Sequence, residues 1–389
     1  MTHAEMTAPP FEPTAEHRTL REQARQVAAE FAPRAVAVRR HTLEHGEMHP
    51  ELWRAFRANG LAGAALSPEV GGRGAGVLGA ALVLEAFAEH GIVLWMPALT
   101  TAIACAMERL GPAPARDVWL PRIAAGTAQL AMAATEPESG HNLFRVRTEI
   151  RVDSDGFVVS GRKRVSSGVD LAERVLVFGR ATEGFTTVLV DPRAPGVTVT
   201  EVPMGFREGV RQFELDFHEV AVPAADVVGR AGAGLLTLWP FTHVERVLTA
   251  AICTGSARHS IERAVRHAKT RTVVGSAPIG ANQALAHPLA RLHARTAAVQ
   301  LLVHRCAARI DADHPDSAAE AAAAKLLAAD LAFDAADHTT QVLGAEAWDE
   351  RSGWIDLYLD ARLARSGPVS NEFALNHLAE HVLGLPLHR

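Results

Sequence analysis

The polar run Ala134-Thr135-Glu136-Pro137-Glu138-Ser139-Gly140-His141-Asn142 follows an apolar, strand-like stretch, Leu130-Ala131-Met132-Ala133. A turn leaving a strand in this way presents backbone N–H groups and a threonine hydroxyl, which suit the polar edge of a planar heterocycle. A second candidate is Glu245-Arg246. Val244, Val247, Leu248 and Ala251 recur at helical spacing, so Glu245 stands at the margin of the buried stripe rather than opposite it. A helical carboxylate in such a place is ordinarily solvated or paired. The run Gly229-Arg230-Ala231-Gly232-Ala233-Gly234 imitates a dinucleotide fingerprint, but it lacks the strand-turn-helix-strand context and the later ribose-binding acid. It reads as a loop opening a helix. The 19 histidines form no H-E-x-x-H or comparable cluster, so no metal is expected.

The elements that must position these residues fall into three blocks. From about Thr14 to Thr127 the pattern is helical, broken by the loop Pro68–Gly74. Between about Gln129 and Gly234 short β-rich runs take over: 157–159, 175–178, 187–190, 197–199 and 213–217, with Gly and Asp clustered between them. After Gly234 the chain turns helical to its end; Ile261, Ala264, Val265 and Ala268 mark one apolar stripe. Ser317 with Glu320 forms a capping box ahead of an Ala-rich helix over 318–336, and 311–316 is the turn before it. The expected fold is α+β and multidomain: an N-terminal α-helical domain (1–128), a middle antiparallel β domain (129–234) and a C-terminal α-helical bundle (235–389).

Composition narrows the function classes. A net charge of −5 without a basic block argues against nucleic acid, and no apolar run is long enough for a membrane span. The ligand should be a small molecule. Residues 1–12 lack a basic start followed by an apolar core, which reads as a loose N-terminus of a cytoplasmic protein rather than a signal peptide. Cys105, Cys253 and Cys306 are odd in number and far apart, as expected of buried small hydrophobes.

Several separated motifs then combine. The first block has Leu52-Trp53, Gly60-Leu61 and Pro68-x-x-Gly71-Gly72-x-Gly74; the middle has Thr135-Glu136-Pro137, Gly161-x-Lys163-x-x-Ser166 and Phe217-His218-Glu219-Val220-x-Val222-Pro223. The last has Glu245-Arg246, Arg271-x-x-Val274-Gly275, Pro278-Ile279-Gly280-x-x-Gln283, Gln341-x-x-Gly344 and Asp360-Ala361-Arg362. In this order, over nearly the whole chain, they resemble the acyl-CoA dehydrogenase family of FAD flavoproteins. The resemblance implies an FAD held between the β domain and the C-terminal helices, its ADP portion reaching a neighbouring subunit of a dimer or tetramer. Thr135 and Ser166 would meet the flavin ring, and Arg271 the pyrophosphate, for which a guanidinium fork is suited. Gln283 belongs to the same cofactor set. Gln341 and Gly344 resemble the neighbour's contribution, and Ser370 replaces a Thr near the adenosine. The Ala-rich helix offers a face for close packing between subunits.

Departures from the family pattern bear on the chemistry. His141-Asn142 replaces the usual Ser-Asp after Gly140, which puts an imidazole beside the expected thioester. Ala345-Glu346-Ala347 follows Gly344 where the family has Gly-Gly-x-Gly, adding a negative charge near the expected phosphate. Family members remove an α-proton with a Glu that precedes Gly-Thr near the C-terminus, while the β-hydride passes to the flavin. In the stretch Arg365–Asn371 that Glu is replaced by Pro368, which also lacks an N–H to hold a thioester oxygen. Gly367, Val369 or a flavin hydroxyl would have to take that part. A subgroup carries its base on the first long helix of the C-terminal domain, directly before an Arg, and Glu245-Arg246 matches it. The resemblance thus implies a dehydrogenase that turns an acyl thioester, carried by coenzyme A or by an acyl-carrier protein, into the 2-enoyl thioester, with Glu245 as base, His141 and Arg246 at the substrate, and an electron-transfer flavoprotein as acceptor. Two alternatives stay open: a base-less scaffold subunit paired with a catalytic paralogue, and a flavin monooxygenase or oxidase on the same fold.

Overall fold

The computed structural model describes residues 13–111, 113–205 and 209–386; the sequence reading of residues 1–12 lies outside them. Six helices come first: α1 (Ala15–Phe31), α2 (Ala35–His45), α3 (Pro50–Ala58), α4 (Gly76–Glu89), α5 (Trp95–Arg109) and α6 (Pro114–Ala124). Thr14 caps α1 by accepting from the His17 backbone N–H. Nearly every residue of α4 is buried, as its almost wholly apolar sequence requires. The two N–H groups at its start, on Val77 and Leu78, donate to the Asp311 carboxylate at 2.7 and 3.1 Å, so the far helical domain closes this helix end.

Seven strands follow: β1 (Leu130–Ala133), β2 (Glu149–Asp153), β3 (Gly156–Ser167), β4 (Arg174–Arg180), β5 (Phe185–Val190), β6 (Val197–Val202) and β7 (Gln212–Pro223). They form one sheet in the order β1-β4-β2-β3-β7-β6, with β5 on β4. The sheet is mixed rather than antiparallel throughout, because β1 lies parallel to β4. The β2–β3 hairpin intervenes between those two strands and provides enough chain to return in the same direction. Strand β2 has no apolar signal: of Glu-Ile-Arg-Val-Asp only Ile150 is buried.

The chain ends in α7 (Leu235–Thr270), α8 (Gln283–Asp311), α9 (Ser317–Leu343), α10 (Trp354–Leu363) and α11 (Asn371–His377). The expected capping box does not form at α9: Asp316 is the capping residue, and Glu320 pairs instead with Arg305 and Arg309 of α8. The Ala-rich face of α9 is also spent inside the chain. Ala321, Ala324, Ala328, Ala332 and Ala336 are all buried in the core where α9 packs against α7 and α8, and small side chains there let helices approach closely. Glu85 of α4 is buried there and accepts from His304 Nε2 of α8 at 2.7 Å and from Gln300. Among the described residues the cysteines are unpaired, no His/Cys/Asp/Glu group could hold a metal, and no helix is long and apolar enough to cross a membrane.

Candidate active site

The loop after β1 is pinned by a buried ion pair. Lys163 of β3, fully buried, donates from Nζ to Glu136 Oε1 and to the Ala134 carbonyl, both at 2.9 Å. Glu136 also accepts from the N–H groups of Arg147 (2.6 Å) and Thr148 (2.9 Å). Burial alone would raise this carboxyl, yet Lys163 and the backbone donors hold it below its ordinary range. Desolvation brings Lys163 down to about 8. The sequence reading assigned neither residue this part.

The strand β3 then does something that its sequence conceals. Lys163 and Ser166 are three positions apart, and in a regular strand they would point to opposite faces. Between them the pairing with β7 slips by a bulge, and Val165 adopts φ 56°, a conformation that strains a β-branched residue. Both Lys163 and Ser166 are therefore buried, while Val165 is turned outward. Ser166 Oγ is enclosed and has no hydrogen-bond partner among the described residues, a costly state that a ligand would relieve. Thr135 stands close by, its carbonyl accepting from Arg164 N–H at 2.9 Å, and its hydroxyl has no partner among the described residues. An orphaned buried hydroxyl beside a second free one fits the flavin edge that the resemblance implies.

The second cluster lies on α7. Glu245 is half-buried, and no side chain among the described residues bonds or pairs with its carboxylate. Desolvation raises it to about 7, against the opposing pull of Arg246 and Lys325. Arg246 is half-buried with an enclosed, unpartnered Nε, and desolvation lowers its pKa. His243, one helical step away, falls to about 4 through burial and the nearby cations, so it stays neutral. His141 packs against Phe373 of α11 at 4.6 Å between ring centroids. Desolvation and Lys325 lower its pKa, with Glu372 pulling the other way.

Pro368 is exposed on the loop between α10 and α11. Of the two backbone groups that could replace its missing donor, Gly367 N–H is already committed to the Leu363 carbonyl at 3.0 Å, whereas Val369 N–H makes no hydrogen bond among the described residues. Ser370 caps α11, accepting from Phe373 N–H. Lys325 of α9 closes this region: it is 1 % exposed and donates to the Val369 carbonyl and to Asn371 Oδ1. A lone cation in an alanine-rich run was the available signal for it.

Arg271, Gln283, Gln341 and Gly344 do not join this cluster. They lie where α7 ends, α8 begins and α9 ends, at one tip of the bundle, and all four are exposed. A groove of about 490 Å³ runs beside Gln283, lined by His287, Arg291, Arg295 and His338. Glu346, the unexpected negative charge, is turned onto His267 Nδ1 at 3.1 Å. At 1.5 Å per residue, the stretch of α7 from Glu245 to Arg271 is about 39 Å long. One chain cannot bring its own Arg271 to its own Glu245.

The sequence matches family models for the acyl-CoA dehydrogenase N-terminal domain (residues 14–127), middle domain (131–220) and C-terminal domain (232–383). It is 36 % identical over 344 residues to the acyl-CoA dehydrogenase FadE12 of Mycobacterium tuberculosis, covering 86 % of this chain and 88 % of that one. Among solved structures, butyryl-CoA dehydrogenase from Megasphaera elsdenii superposes with a TM-score of 0.87 at 23 % identity, over 96 % of this chain and 99 % of that one. An FAD complex of PigA superposes with a TM-score of 0.86 at 21 % identity and the same coverage. The helical, β and helical domains and these matches lead to one conclusion: the chain belongs to the acyl-CoA dehydrogenase family, FAD-dependent oxidoreductases that act on CH–CH bonds.

Proposed function

We propose that this protein is a cytoplasmic acyl-CoA α,β-dehydrogenase in which Glu245 is the base, with an electron-transfer flavoprotein receiving the electrons. The observation that carries this reading is Glu245 itself: a carboxylate without a partner among the described residues, desolvated to about 7, in a chain whose usual base position holds Pro368. A base poised near neutrality is both ionised and strong enough to take a weakly acidic α-proton. Val369 N–H, free of other bonds, supports a role in holding the thioester oxygen as the enolate forms. Arg246 and His141 line the same region as substrate contacts, and the neutral His243 adds no competing charge there. When bound, FAD supplies the acceptor for the β-hydride. Thr135 and Ser166 would hold its ring edge, while Ser370, Arg271, Gln283, Gln341 and Gly344 would serve its adenosine and phosphates. The electron acceptor is supported by the family resemblance.

Because Arg271 and Gln341 lie so far from Glu245, we read them as serving a neighbour's cofactor in a homotetramer built from dimers. Exposed Val273 (70 %), Val274 (88 %) and Trp348 (67 %) flank that tip and support a subunit covering it. The three domains are assigned to 1–128, 129–234 and 235–389.

The deciding experiment is anaerobic titration of the FAD-loaded protein with a panel of acyl-CoAs, for wild type and Glu245→Gln. Gln keeps size and hydrogen bonding but cannot accept the proton. Flavin reduction should slow by about two to four orders of magnitude with substrate binding retained. An E245Q protein as fast as wild type refutes the base assignment. A wild type that no acyl-CoA reduces favours the scaffold-subunit reading, and rapid aerobic reoxidation of the reduced flavin favours an oxidase.

A further inference from the structure

The loop 365–371 is fastened to α9 by two side chains, Asp330 and Lys325. Asp330 pairs with Arg365 at 2.8 Å and accepts from Asn371 Nδ2 at 3.0 Å, and Asn371 N–H closes the loop onto the Arg365 carbonyl at 3.0 Å. Between those ends Lys325 holds the Val369 carbonyl and Asn371 Oδ1. An ammonium has three donors, and two are used among the described residues. Burying such a group costs several kcal/mol unless its charge serves something nearby.

We propose that Lys325 is a positioning residue of the active site: it fixes the peptide groups around Val369 and places a buried charge on α9, the helix packed against the one that carries Glu245. This rests on the reading of Glu245 as base. The charged and titratable groups facing Lys325 are Glu245, Arg246 and Cys253 on α7, Asp330 on its own helix, Glu372 on α11 and His141 after β1. Cys253 is pushed up to about 12 and stays a neutral thiol. Glu245 has two cationic neighbours, Arg246 and Lys325. Arg246 adjoins it in sequence, whereas Lys325 stands on α9, which packs against α7 and also holds the loop 365–371. One side chain thus holds the Val369 carbonyl and adds its charge to the field at Glu245, where desolvation and Arg246 weigh more.

The test compares Lys325→Met with Asn371→Ala and Lys325→Arg as FAD-loaded proteins, following flavin reduction by a reactive acyl-CoA from pH 5.5 to 9. Loss of the cation should move the acid limb of the rate upward by roughly half to one pH unit and lower the limiting rate by about tenfold. N371A removes two side-chain contacts of the loop, to Asp330 and to Lys325, but keeps the charge, so it should alter KM or the limiting rate while leaving the limb in place. K325R should keep the limb near its wild-type position. An acid limb that E245Q abolishes but K325M leaves unmoved overturns the proposal while sparing the base assignment. A K325R limb displaced by half a unit or more overturns it even where K325M does not fold. Wild-type rates in E245Q overturn both.

Discussion

Replacing Lys163 by methionine removes one partner of a buried pair and leaves Glu136 in place, only 4 % exposed, with two backbone donors. Breaking a buried pair from one side costs about 3–5 kcal/mol, and the surviving N–H donors put this case near the lower end, at about 3. For 389 residues the unfolding entropy is about 0.8 kcal/mol per kelvin, so Tm should fall by about 4 °C. The sign of the pH dependence follows from Glu136. Its folded pKa is held below the ordinary value, so its stabilising contribution is present above the unfolded pKa and fades as pH falls through the folded one. Without Lys163 the carboxyl titrates higher, because desolvation then meets only the backbone donors. The gap between wild type and K163M should be full at pH 7.5, where Lys163 (about 8) still carries its proton, and should shrink toward pH 5. The double variant E136Q/K163M, which buries no charge, should recover about 1 kcal/mol or more of the loss. Denaturant unfolding followed by circular dichroism at several pH values gives the stability loss, its change with pH and the recovery in the double variant, a thermal melt gives the fall in Tm, and FAD content reports on the loop. A K163M protein as stable as wild type at pH 7.5, or a gap that does not change with pH, refutes the reasoning.

Arg271→Ala should release FAD on gel filtration while the helical dichroism stays unchanged, since the side chain is exposed and supports no core. Ser166→Ala should leave the FAD-free protein as stable as wild type or more so by about 1 kcal/mol, because it deletes an unsatisfied buried hydroxyl, yet weaken FAD retention; a purely structural serine would show the reverse. Light scattering should give a tetramer, and a flavin-loaded monomer at micromolar concentration would contradict the divided site.

The order of a helical block, a β block and a second helical block was legible in the sequence; the finer features that it made legible were local. The break after Ala133, the margin position of Glu245 and the helix opened by Gly234 follow from period and turn chemistry, and the structure repeats them. What escaped depends on partners distant in the chain. No local pattern announces that β3 bulges at Val165 and thereby turns Ser166 inward, because Arg-Val-Ser-Ser reads as an ordinary strand. Strand β2 hid because a single buried isoleucine makes no alternation. Ser317 and Glu320 have the capping-box spacing, but Arg305 and Arg309 compete for the glutamate, and the alanines of α9 that looked like an intersubunit face are taken by α7 and α8. Lys325 stood out only as a cation among alanines, and its partners Val369 and Asn371 lie more than 40 positions on.

The length of α7 has a genetic consequence. If the tip bearing Arg271 serves the partner's cofactor, lesions at the two ends of this helix fall in different active sites of a dimer. An E245Q chain paired with an R271A chain makes one site carrying both defects and one carrying neither. Two inactive alleles expressed together would therefore complement each other, with up to half of the sites in each mixed dimer restored, although neither protein alone recovers any activity.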